Sequence, residues 1–310
     1  MTSPAARVTV LAGGVGGAKL AHGFQQVEPA GALTVVVNVA DDFELWGLHI
    51  SPDLDTVMYT LAGLADPTTG WGIAGDTHAA LAAIERLGGE TWFRIGDQDL
   101  ATHLRRSQLL ADGQSLTDAT RSLVDSLNVP TRILPATDDR LRTIIEADAA
   151  ELEFQTYFVR RGQRDEVRGV RFDGIEGARP TREALEAVRQ ADLLVFAPSN
   201  PIVSIGPILE LPGMRQAVRA VRSVAVSPIV AGLALKGPAD RMLTSLGHES
   251  SALGVARLYA GLVDCFVIDE ADAALAPAIE ALGMSVRVLP TVMRSDADRA
   301  ALAQAILGLG

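Results

Sequence analysis

The fold is decided at positions 7–20, which read RVTVLAGGVGGAKL. Val8, Val10 and Leu11 belong to a short apolar, β-branched run that breaks at Gly13-Gly14-Val15-Gly16-Gly17, and a helix-favouring segment opens at Ala18 and Lys19. A buried strand, a glycine turn and a helix start are the geometry that holds phosphate. Glycines let the backbone approach the anion, and free N–H groups at the helix N-terminus point at it. A tight turn without a ligand is the alternative, and four glycines in five residues weigh against it. The loop also excludes two familiar types. A P-loop needs a hydroxyl after its lysine, and Leu20 follows Lys19. A dinucleotide fingerprint needs a third glycine at the position that Lys19 holds.

With 310 residues, 48% hydrophobic and 21% charged, the chain has the composition of a soluble globular protein with a sizeable core in one or two domains. No apolar run reaches the roughly 18 residues of a membrane span. Residues 1–6 are too few to be a signal peptide. The single cysteine, Cys265, excludes internal disulfides and fits a reducing cytoplasm, where it reads as a small buried hydrophobe. A net charge of −11 argues against nucleic acid or a membrane surface as partner. Of the 27 basic residues only Lys19 and Lys236 are lysines, and both sit beside glycines in expected strand-to-helix loops. Compact point charges at two such turns suit an anionic small molecule.

Read in order, residues 18–26 form the first helix, with His22 packed inside it. Residues 33–39 are a second strand, apolar enough to be covered on both faces. Asn38, Asp41 and Asp42 follow at its carboxyl end, where open α/β sheets bind ligands. The two acids are either loop solvation or ligands for a metal and a hydroxyl. Ser51 as N-cap, Pro52 and Asp53 make a helix start that explains Asp53 structurally. Asp55 lies deeper and needs no capping role; it is expected to face Asp42 across the cleft, where paired carboxylates suit magnesium (Mg2+). Positions 61–174 change character: helices are expected at 76–87, 99–111 and 115–127, then antiparallel strands at 132–134, 143–147 and 152–159. Arg94 and His103 bracket a polar stretch there, and His103 alone reads as a solvated helix residue. Thr137-Asp138-Asp139 reads as an acidic turn. The core resumes near Thr181. Strands are expected at 193–197, 224–226, 265–268 and 286–289, with Ser199, Asn200 and the helix cap Ser204 after the first of these. The expected architecture is α/β: a doubly wound, Rossmann-like nucleotide-binding core (1–60 and 175–310) carrying an inserted, mostly helical second lobe (61–174). No Ser-His-Asp, Cys-His or zinc spacing is present, so phosphoryl or nucleotidyl handling is the expected chemistry.

The blocks TVLAGGVGGAKL, VVVNVADD, SPDLDTVMYTL, GDQDLATHLRRSQLLADGQSLTD, LPATDDR, APSNPIVSIGPILELPGMR and VAVSPIVAG resemble the 2-phospho-L-lactate transferase family, whose bacterial members are also called phosphoenolpyruvate transferases. The likeness runs from the first strand almost to the end. It implies an enzyme of coenzyme F-420 biosynthesis that takes a GDP-activated phospho-acid and the deazaflavin Fo, releases GMP, uses magnesium and works as a homodimer. By that resemblance Asp55 and Arg94 contact the deazaflavin. Asp55 and Asp42 are catalytic, and Asp41, Asp42 and Asp55 hold the metal. Gly13, Gly14, Gly16, Gly17, Lys19, Asn38, Ser199 and Asn200 hold the guanosine diphosphate. Whether the acid is phosphoenolpyruvate, 2-phospholactate or 3-phosphoglycerate is left open. A non-catalytic nucleotide or sugar-nucleotide sensor of the same superfamily is the alternative, with no need for Asp42 and Asp55 together with Arg94. A nicotinamide oxidoreductase is disfavoured by Lys19.

Overall fold

The computed structural model describes residues 6–148 and 150–309, so most of the stretch on which the signal-peptide expectation rests lies outside the described residues. The opening apolar run is strand β1 (Val8–Ala12). It is followed by β2 (Leu33–Val37), β3 (Arg132–Pro135), β4 (Leu193–Phe196), β5 (Ser223–Val226), β6 (Cys265–Ile268) and β7 (Ser285–Val288). These form one sheet in the order β7-β6-β5-β4-β1-β2-β3, and every pairing is parallel. The expected doubly wound α/β core is therefore present, and its strand order reverses between β1 and β4.

Side chains alternate across the sheet, so the strands β1, β2, β4, β5 and β6 each feed two cores. Leu11, Val36, Leu194, Phe196, Ala225 and Phe266 pack on one face. Val8, Val10, Val35, Val195, Val224 and the free Cys265 pack on the other. Burial on both faces is why these strands read as continuous apolar runs rather than alternating ones.

Helix Gly14–Val27 starts four residues earlier than expected, so the glycines form its first turn. Gly14 has φ +63°, which favours glycine. A Cβ on Gly16 would strike the Pro198 carbonyl, and one on Gly17 would lie 2.7 Å from Ser199 Oγ. The glycine run thus lets the helix lie against the β4 loop. On its outer sides this helix packs on Pro52–Leu61 and Asp296–Leu307.

The stretch expected as one appendage is two excursions separated by β3. Arg132–Pro135, expected to be antiparallel, pairs in parallel with β2 as the edge of the main sheet. Before it come the helices Ala79–Arg86, Asp97–Ala111 and Leu116–Ser126. After it comes a three-stranded antiparallel sheet of Glu151–Glu153, Arg142–Ala147 and Val167–Asp173. Residues 152–159, expected as one strand, leave the sheet at Glu153 and enter a π-helical turn at Thr156–Arg160. The neighbours Tyr157 and Phe158 both pack into the small core around Ile145, Val167 and Met242, which a two-residue period does not allow. A hairpin, Phe43–Leu45 with Leu48–Ile50, was not expected at all. No helix among the described residues is long and apolar enough to cross a membrane.

Candidate active site

The reversal of strand order leaves a crevice beyond the carboxyl ends of β1 and β4, the place where such sheets bind ligands. A cleft of about 440 Å³ lies there. Gly13, Gly14, Gly16, Ser199 and Asn200 form one wall with Asp41 and Asp53. Asp55, Tyr59, Asp99 and His103 line another stretch, and Trp71, Phe93, Arg94, Phe154 and Phe158 add an aromatic side. Lys236 borders the cleft as well.

The glycine turn is held from both sides. The Gly13 N–H donates to Ser199 Oγ at 3.0 Å, and that hydroxyl donates to the Gly13 carbonyl at 2.7 Å. The Gly14 N–H donates to Asp53 Oδ1 at 2.8 Å, and Asn38 Nδ2 donates to Asp53 Oδ2 at 3.0 Å. Asp53 therefore does more than begin a helix: it ties the turn to the end of β2. Asn200 Oδ1 accepts from the Ile202 N–H at 2.9 Å and so shapes its own loop.

Asp41 and Asp53 are a carboxyl pair without a cation. Burial pushes both up, Asp53 to about 6, although Asn38 and Gly14 oppose the shift there. Asp41 stands well above the usual carboxylate range, first through burial and then through the neighbouring Asp53. Its Oδ1 is buried and has no hydrogen-bond partner among the described residues. Hard oxygen donors with an orphaned atom fit a magnesium ion, which prefers carboxylates and shares itself with phosphate oxygens.

Asp55 is arranged differently. Arg106 clamps it with Nη1 on Oδ2 at 3.1 Å and Nη2 on Oδ1. His103 lies with Nδ1 3.5 Å from Asp55 Oδ2 and Nε2 3.3 Å from Asp99 Oδ1. Tyr59 donates to the same Asp99 oxygen at 2.8 Å. Burial raises the Asp55 carboxyl, and Arg106 and His103 pull it down. Burial works likewise on Asp99, but His103 and Tyr59 hold it below the usual range. Asp55, Asp99 and His103 lie close enough together to hold a metal ion. Arg106 already occupies Asp55, however, and of the trio it is His103 Nε2 that, like Asp41 Oδ1, has no hydrogen-bond partner among the described residues.

Of the residues singled out in the sequence, Gly13, Gly14, Gly16, Asp41, Asp55, Arg94, Ser199 and Asn200 border the cleft. Gly17, Lys19, Asn38 and Asp42 do not. Asp42 lies behind, accepting from His49 Nε2 at 2.9 Å and Ser51 Oγ at 2.7 Å. That diverts Ser51 from the expected cap and keeps Asp42 from facing Asp55 across the cleft. The Lys19 ammonium donates to the Met293 carbonyl at 3.1 Å. His103, expected to be solvated, is 2% exposed. Ser204 borders the cleft and makes no side-chain cap. Asp138 accepts from the Thr117 N–H, and Asp139 accepts from the Arg179 N–H, so the acidic turn is structural. Asp99, His103 and Arg106 were missed as a set. Their spacing of four and then three residues puts them on one helix face, opposite the i, i+4 pair Asp55 and Tyr59, and that polar stripe was the available signal.

The 2-phospho-L-lactate transferase CofD family matches residues 8–290. The chain belongs to that family. Among the relatives it resembles are the phosphoenolpyruvate transferase of Streptomyces griseus subsp. griseus, 40% identical with 98% of each chain covered, and the 2-phospho-L-lactate transferase of Methanosarcina mazei, 39% identical over 96% of this chain and 98% of that one. Membership makes this chain a transferase. A crystal structure of a UPF0052 family protein from Bacillus halodurans shares the fold, with TM-score 0.64 at 18% identity, covering 99% of this chain and 100% of that one.

Proposed function

We propose that this transferase moves a phospho-acid group, phosphoenolpyruvate or 2-phospho-L-lactate, from its GDP-activated form to the terminal ribityl hydroxyl of the deazaflavin Fo. The products are GMP and the phosphodiester-linked deazaflavin, an intermediate of coenzyme F-420. One observation carries the reading: a single cleft joins a glycine turn, a buried carboxyl pair and an aromatic side. The diphosphate lies on the N–H groups of Val15 and Gly16 in the first turn of the helix, with Ser199 and Asp53 fixing the turn through Gly13 and Gly14. Asp55, aimed by Arg106, orients the acceptor hydroxyl and takes its proton as the oxygen attacks phosphorus. Asp41 and Asp53 hold magnesium, which neutralises charge on the phosphate oxygens when bound. The deazaflavin ring stacks on the aromatic side near Arg94. We place the enzyme in the cytoplasm as a homodimer.

The test is incubation with Fo, magnesium and each GDP-activated acid, followed by mass identification of the product. A deazaflavin heavier by one phospho-acid group, with equimolar GMP, is expected with one acid or more. Absence of both products with every acid overturns the reading.

A further inference from the structure

The polar side chains around the cleft are nearly all engaged with one another. Ser199 is taken by Gly13, Asn200 Oδ1 by Ile202, Asp53 by Gly14 and Asn38, Asp55 by Arg106, and Asp99 by Tyr59 and His103. Among the described residues three buried neutral lining side chains make no hydrogen bond, the hydroxyls of Thr56 and Ser204 and the amide of Gln155, and of these Gln155 offers a planar donor–acceptor pair. It borders the cleft and is only 6% exposed, yet its carboxamide hydrogen-bonds no group among the described residues. Neither amide atom is among the fully buried, unpartnered side-chain atoms, so the amide is reached from the cleft and offers its donors and acceptor to whatever complement fills it.

The setting narrows that complement. Gln155 lies between Phe154 and the π-helical turn Thr156–Arg160. The rings of Phe154 and Phe158 stand 5.5 Å apart and nearly parallel, at 9°, and both border the cleft. The turn is fixed at its far end, where Arg160 donates to Glu90 at 2.9 Å and lies 5.8 Å from the Trp92 ring centre. A carboxamide that follows Phe154 and precedes Phe158 by three positions can meet a planar ring edge-on. Its oxygen accepts from a ring N–H while its NH₂ donates to the adjacent ring carbonyl.

We propose that Gln155 reads the cyclic amide edge of a heterocycle bound in the cleft, through two parallel hydrogen bonds. This rests on the transferase reading, in which two substrates carry such an edge: the pyrimidinedione end of the deazaflavin and the N1–H/O6 edge of guanine. Gln155 is then a specificity residue, selecting a ring that offers N–H beside C=O over an apolar or N-methylated one.

The experiment measures Kd for Fo and for GDP separately, with wild type and Gln155→Met, a substitution of similar size that lacks the amide. It also measures the ring-N-methylated form of each ligand. Loss of Fo binding by about 10- to 100-fold in Gln155→Met, with GDP unchanged, assigns the residue to the acceptor ring; the reverse assigns it to guanine. In either case methylation weakens that ligand on wild type and makes little further difference on Gln155→Met. Because the methylation arm uses the unaltered protein, it stands even if the variant folds poorly. Unchanged Kd for both ligands in the variant, or no penalty for methylating either one on wild type, overturns the proposal. If wild type binds neither Fo nor GDP, the transferase reading fails and takes this one with it.

Discussion

The two carboxylate groups of the cleft are built on opposite plans. On the sheet side, Asp41 and Asp53 stand at and beyond the tip of β2 with only neutral donors around them, and Asp41 Oδ1 has none among the described residues. On the side of helix Asp97–Ala111, Asp55 is clamped by Arg106, and Asp99 is shared by His103 and Tyr59. The first pair is a charge problem that a bound cation would solve. In the second, the charge of Asp55 is met within the protein by Arg106, which fixes its geometry. On the proposed reading, with an anionic donor and a hydroxyl acceptor, the site needs both: a socket for positive charge and a carboxylate that does not wander.

The largest effect that would break this contrast is at Asp55. Asp55→Asn should lower GMP release by about 10³-fold, the scale of a lost general base. It also leaves Arg106 buried without its counter-charge, so unfolding free energy should fall by about 3 kcal/mol in denaturant titration. Asp55→Asn combined with Arg106→Met should recover much of that stability without recovering turnover. If the double variant is no more stable than the single one, the clamp is not the electrostatic unit described.

Next come Asp41→Asn and Asp53→Asn, each of which should weaken magnesium binding at least tenfold, roughly the loss that even an outer-shell change produces. Here the pH dependence of stability is the second readout. Asp53 sits at about 6 in the folded chain against an ordinary 3.8. The native state therefore holds a proton that the unfolded state has released, and stability declines as pH rises from about 4 to about 6 and stays lower above it. Asp53→Asn should flatten the pH dependence of Tm across that window, at the cost of one of the two N–H bonds from Gly14 and Asn38, since asparagine has a single acceptor oxygen. In wild type, magnesium affinity should fall as pH drops through about 6, where the proton competes for the carboxyl.

Smaller effects test the sheet-side wall itself. Gly16→Ala pushes a methyl into the Pro198 carbonyl and should cost about 2 kcal/mol while weakening GDP in calorimetry. Smallest in activity is Asp42→Asn. With Asp42 turned to His49 and Ser51, turnover should stay within about threefold of wild type, any loss appearing in Tm as a weakened charge-assisted bond. A loss as deep as that of Asp41→Asn would show that Asp42 reaches the substrate after all.

The glycine turn was legible in the sequence because its geometry is local: strand, break and helix start are contiguous. Asp55 was legible for a similar reason, as an acid inside a helix start that a cap already explained. The choice between Asp41 and Asp42 was not, since adjacent residues point apart and only the Phe43–Ile50 stretch, folding back with His49 and Ser51, decides which acid is captured. His103 was misread because solvation of one face depends on which helix lies opposite. Residues 132–134 were placed in the wrong sheet because strand direction is set by the partner and not by composition.

What the sequence determined by itself is whatever rests on short-range periodicity and backbone freedom: the buried parallel strands and the glycine turn that opens the first helix. Tertiary structure alone decided the rest. Arg106 meets Asp55 across 51 positions, and Ser199 meets Gly13 across 186. Contacts over such separations follow from how the strands are ordered and the excursions packed, and nothing in the local chain encodes that order.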